Sequence, residues 1–195
     1  MYADMSINTE LRASSAPASA WVRRFVPLIK RGGRVLDLAA GSGRHTRLLL
    51  ESGFAVCAVD RDISALLPLA GTGCEVRQID LETGAPWRLA TGYDAIVVTN
   101  YLHRPTLPAI AQALAAGGVL IYETFARGNE RFGRPRNPDF LLRPGELIEA
   151  FTTLTPVAFE QGQVSAPRPA VIQRLAAVLG PTGMLPVDLD GRRVT

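Results

Sequence analysis

Two glycines and three aspartates stand at spacings that could form one ligand site. Asp37 lies inside a short apolar run that leads to Gly41 and Gly43, and Asp60 ends the next apolar run. Because glycine has no Cβ, the backbone of such a turn can approach a ligand closely. A carboxylate at Asp60 can accept both hydroxyls of a ribose, and Asp80 after the third run can accept from an amino group of adenine. The set predicts a binding site for a nucleoside.

Two nucleoside-binding folds compete for this pattern. A dinucleotide-binding turn follows Gly-x-Gly-x-x-Gly, and its third glycine permits tight packing of helix on strand. Here that position is Thr46, which disfavours a nicotinamide- or flavin-dependent reductase. Leu81, next to Asp80, could pack on an adenine ring. Ligands of open α/β sheets bind beyond the carboxyl ends of the strands, which is where all these residues fall.

The elements that would position these residues follow an alternating order. Apolar runs of strand length alternate with segments of helical period, which indicates a mostly parallel sheet covered on both faces. Strands are predicted at Arg34–Leu38, Ala55–Asp60, Glu75–Ile79, Asp94–Thr99 and Val119–Glu123. Helices are predicted at Pro17–Lys30, Arg44–Ser52, Ile63–Ala70, Leu107–Ala115 and Gly145–Thr152.

The C-terminal part predicts an antiparallel closure of the sheet. Pro156–Val164 and Ala170–Leu179 form two further strand candidates, although the second could also be a helix. The fold class is therefore α/β, a Rossmann-like doubly wound, mostly parallel seven-stranded sheet with an antiparallel last strand. We expect one domain over residues 1–195, with a loose arm at 1–16 and a tail at 180–195.

Composition excludes several other classes. With 47% hydrophobic and 20% charged residues the chain is neither disordered nor fibrous. No apolar run is long enough to span a membrane, and we see no secretory signal. There is no Gly-Lys-Ser/Thr phosphate loop, and the two cysteines and two histidines are too dispersed for a metal site with local ligand spacing. Few cysteines fit a reducing compartment, so we expect a cytoplasmic protein.

The motifs resemble those of class I S-adenosylmethionine-dependent methyltransferases over roughly residues 17–179. The signature of that family is Asp-x-x-Gly-x-Gly after the first strand. This chain spaces Asp37, Gly41 and Gly43 one residue wider and has Ala39 where the family often has glycine. The stretches that begin at Asn100 and Tyr122 resemble those of a bacterial subgroup, the tellurite-resistance-like methyltransferases.

The resemblance implies S-adenosylmethionine as cofactor and direct in-line methyl transfer. In such a reaction the protein mainly supplies positioning and desolvation. The cofactor-binding residues implied are Asp37, Ala39, Gly41, Gly43, Asp60, Arg61, Asp80, Leu81 and Asn100. No metal is implied.

The segment after the fourth strand faces the transferable methyl group in the family. Members that methylate bases carry Asn/Asp-Pro-Pro-Tyr there, whereas this chain has Asn100-Tyr101-Leu102-His103, which argues against base chemistry. His103 is the candidate general base, or it packs within the loop. Tyr101 could shape the methyl pocket or simply pack.

An arginine-dense stretch, 124–143, has no helical or strand period. Its five arginines against two acidic residues give +3, the net charge of the whole chain. Arginine forks match carboxylate and phosphate. We therefore expect a lid in which Arg127 and Arg131 bind an anionic group and Phe125, Phe132 and Phe140 exclude water; the alternative is a solvated basic loop anchored by the phenylalanines.

These features predict a methyltransferase that acts on a small acceptor, with an anionic group indicated by the arginines. An RNA or tRNA methyltransferase is the alternative, with the arginines on phosphates. A second alternative is a non-catalytic module that binds S-adenosylmethionine without transferring its methyl group. The acceptor atom and the oligomeric state stay open at this point.

Overall fold

One seven-stranded sheet organises the molecule. The structure, a computed structural model, describes residues 16–71, 73–84 and 89–185. The strands are β1 Arg34–Leu38, β2 Ala55–Asp60, β3 Cys74–Gln78, β4 Tyr93–Thr99, β5 Leu114–Phe125, β6 Thr155–Val164 and β7 Ala170–Val178. Their order across the sheet is β3-β2-β1-β4-β5-β7-β6.

The sheet is parallel from β3 to β5 and antiparallel at the end that contains β7. Strand β1 pairs in parallel with both β2 and β4, so the chain crosses over at the middle of the sheet. Strand β7 lies antiparallel to β5 and to β6. This confirms the predicted fold class, and it settles Ala170–Val178 as a strand rather than a helix.

Within the described ranges, four short α-helices accompany the sheet: α1 Ala20–Phe25, α2 Arg44–Glu51, α3 Leu107–Ala113 and α4 Glu146–Ala150. Six 3-10 helices lie between the other elements of the described chain: Val26–Leu28, Leu67–Leu69, Arg104–Thr106, Asn129–Arg131, Pro138–Phe140 and Thr182–Met184.

The core is divided between the two faces of the sheet. Side chains of a strand alternate between faces, so Leu36 and Leu38 of β1 join one cluster while Val35 joins the other. The first cluster continues into α3 through Ile110, and the second continues into α1 through Trp21. Burial on both faces explains why β1, β2 and β4 are mostly continuous apolar runs in the sequence, whereas the edge strand β3 is partly exposed and carries charged residues.

All five predicted helices are shorter than the sequence indicated, and two of them are interrupted at a proline. The helix predicted at Ile63–Ala70 is only a 3-10 turn, Leu67–Leu69, with Pro68 inside it. The helix predicted at Pro17–Lys30 begins at Ala20 and gives way to a 3-10 turn that contains Pro27. Proline has no amide hydrogen and its ring blocks the carbonyl four residues earlier, so both segments leave the α-helical conformation.

The arginine-dense stretch is folded rather than structureless. Strand β5 continues to Phe125, and two 3-10 helices follow within residues 129–140. The buried Asn129 side chain fastens the stretch, because its Nδ2 donates to the Pro135 carbonyl at 3.2 Å and its Oδ1 accepts from the Val171 amide at 3.3 Å. The prediction of an aperiodic loop was therefore wrong in its local structure.

Residues 1–15 and 186–195, which hold most of the predicted arm and tail, lie outside the described residues. No helix in the described ranges is both long and apolar enough to cross a bilayer. Cys57 and Cys74 are free thiols buried on β2 and β3.

Candidate active site

The glycine turn after β1 has the left-handed backbone that its residue types predict. Gly41 has φ of 54° and Gly43 of 73°, and Ala39 before them also has a positive φ of 55°. No atom lies within 4 Å of the position that a Gly41 Cβ would take, whereas a Cβ on Gly43 would come 2.9 Å from the side chains of Leu66 and Leu69. The backbone at Gly41 is therefore open to a ligand, with no side chain in the way. Gly43 allows the start of α2 to pack closely against Leu66 and Leu69.

The acid at the end of β2 is tied to this turn. Asp60 Oδ2 accepts a hydrogen bond from the Gly41 amide at 2.8 Å, and Oδ1 accepts from the Asp62 amide at 3.0 Å. Each oxygen uses one acceptor position on the backbone and keeps others, since a carboxylate has about four acceptor positions. The carboxylate is therefore pre-oriented and can still accept from two hydroxyl groups.

A cavity of about 450 Å³ opens beyond the carboxyl ends of β1, β2 and β4. It brings together seven residues that the sequence analysis selected: Ala39, Asp60, Arg61, Asp80, Leu81, Asn100 and Tyr101. Two of the other residues that line it, Phe125 and Phe140, belong to the predicted lid. Sequence reasoning missed the remaining five, Ile79, Glu82, Leu102, Thr124 and Pro135.

Asp37 lies beneath the cavity rather than on its wall. It is 1% exposed, and Thr46 Oγ1 donates to its Oδ2 at 2.6 Å. Burial raises the pKa of the Asp37 carboxyl to about 7, against the opposing effect of the Thr46 hydrogen bonds. Thr46 occupies the position at which a dinucleotide-binding turn would have its third glycine. Through its hydrogen bond to Asp37, it connects the first turn of α2 to β1.

Asn100 follows β4 in an uncommon backbone conformation. Its φ is 54°, and its amide donates to the Glu123 carbonyl at 2.9 Å. A non-glycine residue in this region costs conformational energy, and such residues cluster at ligand sites. Asn100 lines both this cavity and a second one beside it.

The second cavity, of about 540 Å³, shares one wall with the first. The shared residues are Asn100, Phe125, Pro135 and Phe140. The second cavity adds three arginines and an amide, Arg134, Arg136, Arg168 and Asn137. The arginines and phenylalanines of the 124–143 stretch were the sequence signal for this part of the site, and no signal pointed to Arg168.

Four side chains selected from the sequence lie elsewhere. Arg127, Arg131 and Phe132 are exposed and line neither cavity, and Arg131 bonds instead to the Gly128 carbonyl at 3.1 Å. His103 is half-buried and is also absent from both walls.

Tyr101 does line the first cavity. Burial raises the pKa of its phenol, so this side chain stays neutral in the neutral pH range.

His45, on the first turn of α2, has a role that the sequence did not specify. Its Nε2 accepts from the Ser19 amide at 3.1 Å, so the ring proton lies on Nδ1 and faces Thr99 Oγ1 at 3.2 Å. Burial lowers the pKa of His45 to about 3. The neutral ring joins the start of α1, the glycine turn and the end of β4.

Comparison with known proteins identifies the family of this chain. The family model described as "Methyltransferase domain" matches residues 11–156, three quarters of the chain. The chain belongs to this methyltransferase family. The resemblance to class I S-adenosylmethionine-dependent methyltransferases is thus confirmed, with S-adenosylmethionine as the cofactor.

A curated methyltransferase and two solved structures are similar to this chain. The glycine/sarcosine N-methyltransferase of Aphanothece halophytica is 29% identical over 136 residues, 62% of this chain and 49% of the relative, so the chain spans about half the length of that methyltransferase. The TehB structure from Haemophilus influenzae has a TM-score of 0.71 at 16% identity and covers 86% of this chain and 64% of its own.

The second solved structure is that of 1,6-didemethyltoxoflavin-N1-methyltransferase from Burkholderia thailandensis, with bound 1,6-didemethyltoxoflavin and S-adenosylhomocysteine. Its TM-score is 0.65 at 21% identity, and the match covers 90% of this chain and 84% of that one. At such identities the two structures establish the methyltransferase fold.

Proposed function

We propose that this chain passes the methyl group of S-adenosylmethionine directly to a small-molecule acceptor. The observation that carries the proposal is the Asp60–Gly41 hydrogen bond of 2.8 Å at the rim of the first cavity. It places an oriented carboxylate, which can bind ribose hydroxyls, next to open backbone, which can bind the amino-acid chain attached to that ribose.

The residues of the first cavity fit the cofactor in chemistry. Asp60 would hold the ribose hydroxyls, and Asp80 with Leu81 would contact the adenine. The open backbone around Ala39 and Gly41 would receive the amino-acid end. Among the described residues that line this cavity are three carboxylates, Asp60, Asp80 and Glu82, and one cation, Arg61. Their negative charge suits a ligand that carries a sulfonium.

When bound, S-adenosylmethionine supplies a methyl group on a positively charged sulfur. The protein then has to align the acceptor and exclude water. Asn100 and Phe125 line both cavities, so they lie where the two ligands would meet. Tyr101 lines only the first cavity, and its hydroxyl is buried away from it, so the side chain shapes the wall rather than bonding to a ligand.

The described walls of the second cavity hold no histidine, cysteine, lysine or carboxylate. A general base is needed only when the nucleophile must lose a proton during transfer. We therefore propose an acceptor atom that is already nucleophilic, such as a neutral amine or an ionised oxygen. His103 stays a candidate base only if the segment after β4 moves towards the cavity.

The first cavity has the size of a small-molecule site. Its volume of about 450 Å³ lies in the usual range for such sites, and the second is an open groove beside it. The names of two similar proteins, the glycine/sarcosine and didemethyltoxoflavin methyltransferases, also refer to small molecules.

Calorimetry and a labelled-methyl screen test the proposal. S-adenosylhomocysteine should bind the full chain at one site per molecule. Methyl-labelled S-adenosylmethionine should then label a compound in a metabolite extract and leave an RNA extract unlabelled. Binding without any labelled product would indicate a non-catalytic module, and labelled RNA would indicate the nucleic-acid alternative.

A further inference from the structure

The second cavity has an unusual balance of charge. Its walls carry three arginines, Arg134, Arg136 and Arg168, and no acidic residue in the described part of the chain. The first cavity, which shares one wall with it, carries three carboxylates and one arginine among the described residues. The site is therefore negative at one end and positive at the other, with Asn100 and Phe125 at the boundary.

The three arginines are free to meet a ligand. All three are exposed, and none forms an ion pair with a carboxylate of the described residues. Arg168 lies over the Phe125 ring, with 5.9 Å from its Cζ to the ring centroid. Arg174, by comparison, is engaged by both Glu123 and Glu160. The cations of the second cavity thus lack the partners that a purely structural arginine has.

The backbone that presents two of these arginines is held in place. Pro135 lies between Arg134 and Arg136, and its carbonyl accepts from the buried Asn129 side chain. That side chain also accepts from the Val171 amide near the start of β7. Arg168 comes from the turn before the same strand. Both arginine-bearing turns are thus anchored at one end of β7, which sets their separation before any ligand binds.

We propose that the second cavity is the acceptor site and that it takes a small acceptor with a carboxylate or phosphate group beside an apolar ring or chain. Arginine forks recognise such anions through paired hydrogen bonds. The Phe125 and Phe140 rings supply the apolar wall. The anion would lie on the arginines, and the atom to be methylated would point to Asn100 and the first cavity. The proposal rests on the proposed methyltransferase function and names its substrate class.

Arg127 and Arg131 are thereby replaced as the anion-binding pair of the sequence analysis. Both lie in the same stretch of chain, but Arg131 is turned onto Gly128 and the Phe132 ring. The two sets of arginines differ in placement and share their chemistry, so they offer a matched comparison.

The test uses benzoate as an anionic probe and benzamide as its neutral counterpart. Ligand-observed NMR measures the binding of each probe to the full chain saturated with S-adenosylhomocysteine. We expect benzoate to bind and benzamide to bind at least fivefold more weakly. Arg134→Gln and Arg168→Gln should each weaken benzoate about five- to tenfold, on the scale of a lost hydrogen bond to a charged group. Arg127→Gln, Arg131→Gln and the remote Arg31→Gln should change it less than twofold.

Each contrary outcome has a defined meaning. Equal binding of benzoate and benzamide, no benzoate binding, or equal losses in the Arg127 and Arg131 variants would overturn the anion site. A short single-stranded RNA that binds more tightly than benzoate, with steep loss on added salt, would overturn the small-molecule class. S-adenosylhomocysteine affinity is measured first in every variant, and its absence in the wild-type chain would instead overturn the proposed function.

Discussion

Arg104 and Glu146 form a two-point ion pair between the segment after β4 and the start of α4. Arg104 Nε and Nη2 donate to the Glu146 carboxylate at 2.6 and 3.0 Å. The same guanidinium donates to the carbonyls of Asp139 and Leu141. One side chain thus connects the loop that carries Asn100 to the stretch that lines the second cavity.

Removal of this arginine should destabilise the fold and loosen the second cavity. Arg104→Gln leaves the buried Glu146 carboxylate without its main partner, so we expect a loss of about 2 kcal/mol in the free energy of unfolding. Arg143→Gln is the matched control, because Arg143 also pairs with Glu146, at 3.4 Å, but is more exposed. We expect that control to cost under about 1 kcal/mol. Urea unfolding measures both, and equal losses would contradict the connecting role.

The ribose assignment predicts a selective loss of cofactor affinity. Asp60→Ala removes a carboxylate that is already oriented by two backbone amides. We expect S-adenosylhomocysteine to bind more weakly by about 2 kcal/mol, roughly thirtyfold, in calorimetry. Asp62→Ala is the control, because Asp62 bonds to Ser64 in the adjoining turn and lines neither cavity. Unaltered affinity in Asp60→Ala would show that the ribose assignment is wrong.

The pKa of Asp37 predicts a pH-dependent contribution to stability. The carboxyl has a pKa of about 7 in the folded chain against an ordinary 3.8, so between these values the folded state binds more protons than the unfolded state. Its stabilising contribution is complete below the ordinary pKa and is lost as the pH rises through about 7. Asp37→Asn should therefore gain stability relative to wild type from pH 4 to pH 7 and level off above. A pH-independent difference in urea unfolding would contradict the raised pKa.

His45 predicts the opposite dependence. Its pKa of about 3 lies below the ordinary 6.5, so its contribution is complete above pH 6.5 and is lost as the pH falls towards 3. The ring should stay neutral, with the proton on Nδ1, throughout pH 4 to 8. Long-range ¹H–¹⁵N NMR of the imidazole reports both properties. A His45 ring that titrates near its ordinary pKa would show that it is not held between Ser19 and Thr99.

Residues at strand ends were the predictable part of the site. Asp60 ends an apolar run whose length and continuity identify a buried parallel strand, whereas Asp80 follows a partly exposed edge strand. The glycine turn requires residues without a Cβ. These local signals also determine the carboxyl edge where strands β1, β2 and β4 end. The first cavity is built mostly from such positions.

The second cavity depends on contacts that local sequence does not encode. Arg134 and Arg136 reach it because Asn129 bonds across to Val171, a residue 42 positions away. Arg168 lies still further along the chain. Periodicity carries no information on such pairings, so the sequence indicated an arginine-rich stretch but selected Arg127 and Arg131 from it.

Amide shifts on addition of S-adenosylhomocysteine test the central claim most directly. A ¹H–¹⁵N correlation spectrum of the full chain, titrated with this compound, should show saturable shifts at Gly41, Arg61, Leu81 and Asn100. Amides at the opposite end of the sheet, such as Arg34 and Glu75, should stay in place. A spectrum that is unchanged at millimolar compound, or that shifts only away from the first cavity, would contradict the account.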